Sequence, residues 1–89
     1  MKAILTVLGR DKTGIIYGIS KILSDNQVNI EDISQTILQE YFTMMMLVDL
    51  SNLSIEFDDL KKQLEILGNQ MILSVKIQRE EIFNTMHTI

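Results

Sequence analysis

The sequence predicts one α+β domain in which a four-stranded antiparallel sheet carries two helices on one face. Two observations predict this class. The chain has 89 residues, the length of one small domain, and 46% of them are hydrophobic, which is enough for a packed core. Along the chain, apolar residues recur with the period of a strand or of a helix, in the order strand, helix, strand, strand, helix, strand. We therefore treat residues 1–89 as a single domain.

The first strand and the first helix have clear signals. Residues 2–8 form an apolar run that ends at Gly9, as is typical of a buried central strand. A helix is predicted next, with Thr13 as its N-cap, and Asp25-Asn26-Gln27 ends it. Its apolar face consists of Ile15, Ile16, Ile19, Ile22 and Leu23.

The second strand, residues 28–38, is predicted at an edge of the sheet because its pattern is irregular. Val28 and Ile30 share one face, whereas Ile33 and Ile37 fall on the other, a phase change that a β-bulge explains. A turn near Gln39-Glu40 then leads into a third strand over residues 41–50. One face of that strand carries Phe42, Met44, Met46, Val48 and Leu50.

The last third of the chain predicts a helix, a strand and a short terminal helix. Gly68 is predicted as the C′ residue that ends the second helix. The helix is indicated by Phe57, Leu60, Leu64 and Leu67, and the fourth strand by Met71, Leu73, Val75 and Ile77. A terminal helix from about Arg79 would align Ile82, Phe83, Met86 and Ile89 on one side.

This order is the ferredoxin-like βαββαβ sandwich, in which both helices cover one face of the sheet. The opposite face is expected to carry Met45, Leu47, Ile72, Ile33 and Ile37. That is more apolar surface than a monomer usually leaves exposed, so the terminal helix or a second subunit should cover it. The long edge strand is a further contact for a homodimer or higher even oligomer.

Composition and charge exclude several classes of protein. The absence of Cys excludes disulfide scaffolds and thiolate metal sites, and no metal or cofactor is expected. A net charge of −4, with scattered basic residues, argues against direct nucleic-acid binding. The longest apolar stretch, residues 42–48, is too short for a membrane span, and the N-terminus does not look like a signal peptide. We expect a cytoplasmic protein.

The sequence offers no credible catalytic constellation, so we do not expect an enzyme. His87 is the only histidine, and no serine–histidine–carboxylate set can be assembled around it. Gly9 and Gly14 have the spacing of a P-loop, but Ile15 and Ile16 stand where that motif needs Lys and Ser or Thr. Arg10 leaves a small acyl phosphatase-like hydrolase as a minor alternative, although that family's glycine and arginine pattern is missing.

The loop from Gly9 to Gly14 is the candidate binding site. A helix N-terminus presents unpaired N–H groups and partial positive charge, which suit a carboxylate. Gly14 allows close approach to the backbone, Asp11 can accept from an ammonium group, and Asn29 both donates and accepts. These groups match an α-amino acid. The alternative is that the glycines and Asp11 serve only the turn.

The residues of three segments resemble an ACT domain, specifically the small stand-alone ACT proteins related to the glycine cleavage system repressor. The segments are residues 7–15 (VLGRDKTGI), 28–35 (VNIEDISQ) and 42–44 (FTM). The resemblance implies the same βαββαβ fold, dimerisation, and binding of amino acids or similar molecules at the subunit interface. The positions that it assigns to ligand binding are Asp11, Gly14, Ile15, Asn29 and Ile30.

Two features differ from the family pattern. Many amino-acid-binding members have Asn at the position of Asp11, and most members are attached to an enzyme or a DNA-binding domain. We therefore expect a homodimeric sensing module that acts on a separate protein partner. The alternative is an interaction module that binds a partner without any ligand.

Overall fold

The four predicted strands and two predicted helices are all present in a computed structural model, which describes residues 1–10 and 14–81. The strands form one sheet in the order β2-β3-β1-β4, with every neighbouring pair antiparallel. The predicted βαββαβ fold is confirmed. The elements are β1 (Lys2–Arg10), α1 (Ile15–Asp25), β2 (Asn29–Leu38), β3 (Tyr41–Asp49), α2 (Phe57–Met71) and β4 (Ser74–Arg79).

The core lies between the helices and one face of the sheet. Alternate residues of β1 and β3 point into it, as the period-two pattern predicts. Ile16 is exposed, so the buried stripe of α1 is narrower than predicted. The residues that α1 and α2 bury are Ile15, Ile19, Leu23, Leu60, Leu64 and Gly68.

The edge strand β2 contains the expected bulge, but its effect differs from our prediction. The register shifts between Ile30 and Asp32, which leaves Glu31 as the extra residue. Because of this shift, Ile33 and Ile37 pair with core residues of β3, as Ile30 does. The prediction that Ile33 and Ile37 lie on the open face was therefore wrong: they lie on the helix side.

The start of α1 differs from the prediction by one residue. Gly14 occupies the N-cap with φ of 90°, a left-handed conformation that glycine adopts without strain. Thr13 is therefore not the N-cap, and it lies outside the described residues.

The end of α2 differs from the prediction by several residues, since Gly68 does not stop the helix. Gly68 is buried inside it, and the helix continues to Met71, which therefore belongs to α2 and not to the fourth strand. Ile72 ends the helix with φ of 58° and is 79% exposed, so it is not part of a strand face. The Leu73 N–H donates to the Gly68 carbonyl at 2.7 Å, and the Ile72 N–H donates to the Asn69 carbonyl at 3.4 Å. These two bonds form a Schellman motif.

The last described residues follow β4. Arg79 ends this strand, with its guanidinium 5.1 Å from the centre of the Phe57 ring. Glu80 and Glu81 have helical backbone, and residues 82–89, which carry the rest of that prediction, lie outside the described residues. Within residues 1–10 and 14–81, no helix is long and apolar enough to cross a membrane.

Candidate functional site

The N-terminus of α1 is open at the position of Gly14. A Cβ atom added to this glycine would meet nothing within 4 Å. The Gly14 carbonyl accepts from the Gly18 N–H at 2.9 Å, and no side chain of the described residues caps the helix. The first N–H groups of an α-helix have no partner within the helix, so an anion that approaches the backbone at Gly14 could bind those of α1. Asp11 lies outside the described residues.

Ile15 contributes to this end of the helix through its backbone alone. Its side chain is only 2% exposed and packs in the core. A ligand at the helix N-terminus would meet the Ile15 N–H and not its side chain. The core position of Ile15 in turn fixes where the first turn of α1 points.

Asn29 and Ile30 begin β2. Asn29 is exposed and pairs with Asp49 of β3, whereas Ile30 is partly buried against the core. The Asn29 side chain is therefore accessible to a ligand, whereas the side chain of Ile30, the next residue of the strand, points to the helix side.

Within one chain, Gly14 and Asn29 lie at opposite ends of the sheet. Asn29 pairs with Asp49, which pairs with Lys2, so these residues form one end row. Arg10 stands about 27 Å away at the other end of β1, at about 3.4 Å per residue. Gly14 is four positions after Arg10, a stretch of chain that spans at most about 14 Å. One chain therefore does not bring the two parts of the predicted site together.

The outer edge of β2 is unpaired in this chain, and apolar side chains lie beside it. β2 is the first strand of the sheet, so only one of its two edges is hydrogen-bonded. Ile37 is 59% exposed on the helix side, Ile33 is also exposed, and α1, which packs over β2, adds the exposed Tyr17. A free strand edge with apolar neighbours is a template for pairing with another strand.

A charged cluster lies near Asn29. The Lys2 ammonium is 2.8 Å from the Glu31 carboxylate of the bulge, and this hydrogen bond raises the pKa of Lys2. The Asp49 carboxylate accepts from the Ser51 hydroxyl at 2.6 Å and from the Ser51 N–H at 3.0 Å. These bonds lower the pKa of Asp49. The ion pair and the turn fix the backbone around the first residue of β2.

A cleft of about 560 Å³ opens on the other face of the sheet, at the end where β1 leaves it. Sequence reasoning did not find this cleft, because its walls come from β1, β3 and the α2–β4 turn. Strand alternation could have placed Leu8 and Arg10 on the same face, but the position of Ile72 depends on where α2 ends. The lining residues are Leu8, Gly9, Arg10, Tyr41 and Ile72. The volume is that of a small-molecule or side-chain binding site.

Comparison with known proteins gives consistent matches. A sequence model of the ACT domain matches residues 2–78. A UPF0237 protein of Clostridium acetobutylicum is 55% identical over 89 residues, which cover 100% of both chains. The structure of an ACT domain protein from Streptococcus pneumoniae is 44% identical, with a TM-score of 0.80 over 93% of each chain. A glycine cleavage system repressor-like protein is 25% identical, with a TM-score of 0.74 over 88% of this chain and 44% of its own.

Proposed function

This chain belongs to the ACT domain family of small-molecule-binding regulatory domains, and we propose that it is a homodimer that senses an amino acid and regulates a separate protein. One observation carries the proposal. The two parts of the candidate site lie at opposite ends of the sheet, and the outer edge of strand β2 is free. A second copy of the chain can bring these parts together.

Antiparallel pairing of two β2 strands about a two-fold axis would complete the site. In such a pair, the first residue of one strand lies beside the last residue of the other. Asn29 of one protomer would then lie at the end of its partner's sheet where α1 begins. Each dimer would hold two equivalent sites, each with Gly14 from one protomer and Asn29 from the other.

The chemistry of these groups suits an α-amino acid. The first N–H groups of α1, including that of Ile15, would bind the carboxylate at the positive end of the helix dipole. The carboxylate of Asp11 would accept from the ammonium group, and the Asn29 amide would bind either group from across the interface. Ile30 would contact the aliphatic part of the ligand.

Thermal unfolding in the presence of each of the twenty standard amino acids tests the ligand. A ligand at about 100 times its Kd stabilises the folded state by roughly 2.7 kcal/mol, which raises Tm by roughly 10–20 °C in a domain of this size. At least one amino acid should produce this shift. If the whole panel at millimolar concentration leaves Tm unchanged, the protein is not an amino-acid sensor.

The dimer is tested through the exposed residues beside the free edge. The double variant Ile33→Lys with Ile37→Lys places two positive charges of each protomer in the proposed interface, so it should be monomeric by light scattering and lose the thermal shift. Ile66→Lys is the matched control, because Ile66 is 57% exposed on α2. A dimer that survives the double variant would contradict pairing through β2.

The cleft beside Leu8 and Tyr41 supports a second candidate function. Its apolar walls could bind a side chain of a protein partner without any metabolite. The protein would then act as an interaction module. Recovery of one stoichiometric partner at the same yield with and without amino acids, abolished by Leu8→Asp, would favour this function over sensing.

A further inference from the structure

The sheet has a second free edge, which is formed by β4. This strand is last in the order β2-β3-β1-β4, so among the described residues it pairs with β1 alone. In such an edge strand, alternate residues direct their backbone N–H and C=O groups away from the sheet. The six residues Ser74–Arg79 are therefore a template for one further strand.

The helix α2 lies beside this edge and turns it into a groove. A groove of about 260 Å³ opens between α2 and β4. Its buried lining residues are Leu64, Val75 and Ile77. Its exposed lining residues are Lys61 and Glu65 of α2 and Lys76 of β4. A groove of this size suits one or two small apolar side chains of a strand added at the edge.

The basic side chains at this groove have no acidic partner. Of the lysines that the structure describes, Lys2 and Lys21 form ion pairs. The three others, Lys61, Lys62 and Lys76, form none, and all three are exposed. Lys62 follows Lys61 on α2, so the three lysines lie around one groove although the whole chain has a net charge of −4. This local excess of positive charge favours an acidic occupant.

The same charges disfavour a second copy of the chain. Pairing of two β4 strands about a two-fold axis would bring the three lysines of one protomer towards those of the other. Like charges on paired strands are destabilising, and lysine on an edge strand is a common device against pairing between copies. An added strand with acidic side chains would convert this repulsion into attraction.

We propose that β4 and α2 bind an extended, acidic segment of the regulated protein as an additional strand beside β4. The inference rests on the proposed function, in which a separate protein is regulated and the β2 edge is used for dimerisation. Apolar side chains of the segment would enter the groove on the helix side. The alternate, acidic side chains would lie on the open face beside Lys76, which alternates with the buried Val75 and Ile77. Main-chain hydrogen bonds would provide most of the affinity.

Fluorescence polarisation with a defined peptide tests the proposal. The peptide has six residues, the length of β4, and alternates valine with glutamate. A matched peptide carries lysine in place of glutamate. Without any amino acid present, the full-length protein should bind the glutamate peptide on the order of tenfold more tightly than the lysine peptide. Equal affinities, or no binding of either peptide, would overturn the proposal.

Charge reversal in the protein tests where the peptide binds. Lys76→Glu should weaken binding of the glutamate peptide on the order of tenfold. Lys21→Glu is the matched control, because it makes the same change of charge at an exposed position of α1 and should leave the affinity nearly unchanged. An equal loss in both variants would mean that only the overall charge of the protein matters, and the proposed groove would be wrong.

Peptides with methylated backbone nitrogens test strand pairing itself. One peptide carries N-methyl groups on its valines and another carries them on its glutamates. Alternate N–H groups of a strand point to opposite edges, so one of the two peptides should lose binding and the other should retain it. Equal effects of the two methylation patterns would exclude pairing with β4. Light scattering without peptide gives a further check: assemblies larger than a dimer that Lys76→Glu does not disrupt would place a second copy at the edge instead.

These measurements separate a failure of this inference from a failure of the proposed function. If an amino acid raises Tm but the glutamate peptide does not bind, sensing stands and the docking surface is wrong. If the peptide binds as described but no amino acid changes Tm, the docking surface stands and sensing is wrong.

Discussion

At the residue scale, two glycines that both lie inside helices have different physical roles. A Cβ atom on Gly68 would lie 3.0 Å from the Leu73 carbonyl oxygen and 3.0 Å from Val75 Cγ2. A Cβ on Gly18 would instead meet the two δ-carbons of Leu67 at 3.3 Å, and these can move. Gly68 is therefore needed where α2 passes close to the backbone before β4, whereas Gly18 is not.

Alanine substitutions should separate these two roles. We expect Gly68→Ala to destabilise the protein by about 1–2 kcal/mol, because the Leu73 backbone, whose N–H donates to the Gly68 carbonyl, cannot easily move away from the added methyl group. Gly18→Ala should be neutral or stabilise by up to about 1 kcal/mol, the gain in helix propensity. Urea denaturation measures both free energies of unfolding. Equal destabilisation would show that contact with backbone is not the deciding factor.

Ile72 is the second residue whose backbone predicts a stability change. It is a β-branched residue with φ of 58°, and its side chain is largely exposed. An L-residue in this conformation carries a strain of about 1–2 kcal/mol. Glycine relieves this strain, but its greater freedom in the unfolded chain cancels part of the gain in stability. Ile72→Gly should therefore stabilise the protein by roughly 0.5–1 kcal/mol in urea denaturation. A loss of stability would mean that the Ile72 side chain makes contacts worth more than the strain.

At the element scale, β2 shows how one extra residue changes a whole strand. The bulge at Glu31 brings Ile33 and Ile37 to the helix side, where they extend the apolar surface beside the free edge. Without the bulge, the same residues would face the opposite side. The surface that we propose for dimerisation thus depends on one register shift, which the Lys2–Glu31 ion pair supports at 2.8 Å.

The contribution of the turn after β3 to the stability of the protein should depend on pH. Asp49 has a lowered pKa in the folded protein, because Ser51 donates two hydrogen bonds to its carboxylate. A lowered folded-state pKa adds stability above the unfolded value of about 3.9, and this stability is lost as pH falls through the folded-state pKa.

Asp49→Asn should therefore lower Tm at neutral pH and reduce the further decrease in Tm between about pH 6 and about pH 3. Ser51→Ala removes the hydroxyl donor without changing the carboxylate, and should shift both quantities in the same direction by less. An acid-induced decrease that is identical in Asp49→Asn and the unmodified protein would contradict the assignment.

At the scale of the whole molecule, the proposed site, which two protomers would share, predicts complementation. Gly14→Val blocks the helix end in one chain, and Asn29→Ala removes the amide from the other. Each homodimer of a single variant should lack amino-acid binding. In a mixed dimer, one of the two sites combines Gly14 and Asn29 from chains that retain them.

An equal mixture of the two variants should recover about one quarter of the original sites, because half of the randomly formed dimers are mixed and each contains one intact site. Calorimetric titration with the amino acid that gives the largest thermal shift measures this stoichiometry. Full loss in the mixture, with both variants folded and dimeric, would place the two residues in separate sites or outside any site.

The strands and helices of this protein could be predicted from sequence because their signals are local. Phe42, Met44 and Met46 alternate along β3 as a strand requires, and their burial follows from that period alone. Ile33 was placed on the wrong face because a face is defined by pairing, and the bulge changes the pairing. The prediction that Gly68 ends α2 was wrong, because a glycine that ends a helix and one that allows close packing look alike in sequence.

The sequence by itself determined the order of the elements, the family resemblance and the residues of the candidate site, since each of these depends on local pattern or on residue type. Only the tertiary structure decided that Gly14 and Asn29 lie at opposite ends of one sheet. It also decided that β2 is an edge with its apolar residues on the helix side. Distances between residues far apart in the chain depend on strand order and register, which hydrogen bonds between strands establish and no local pattern encodes.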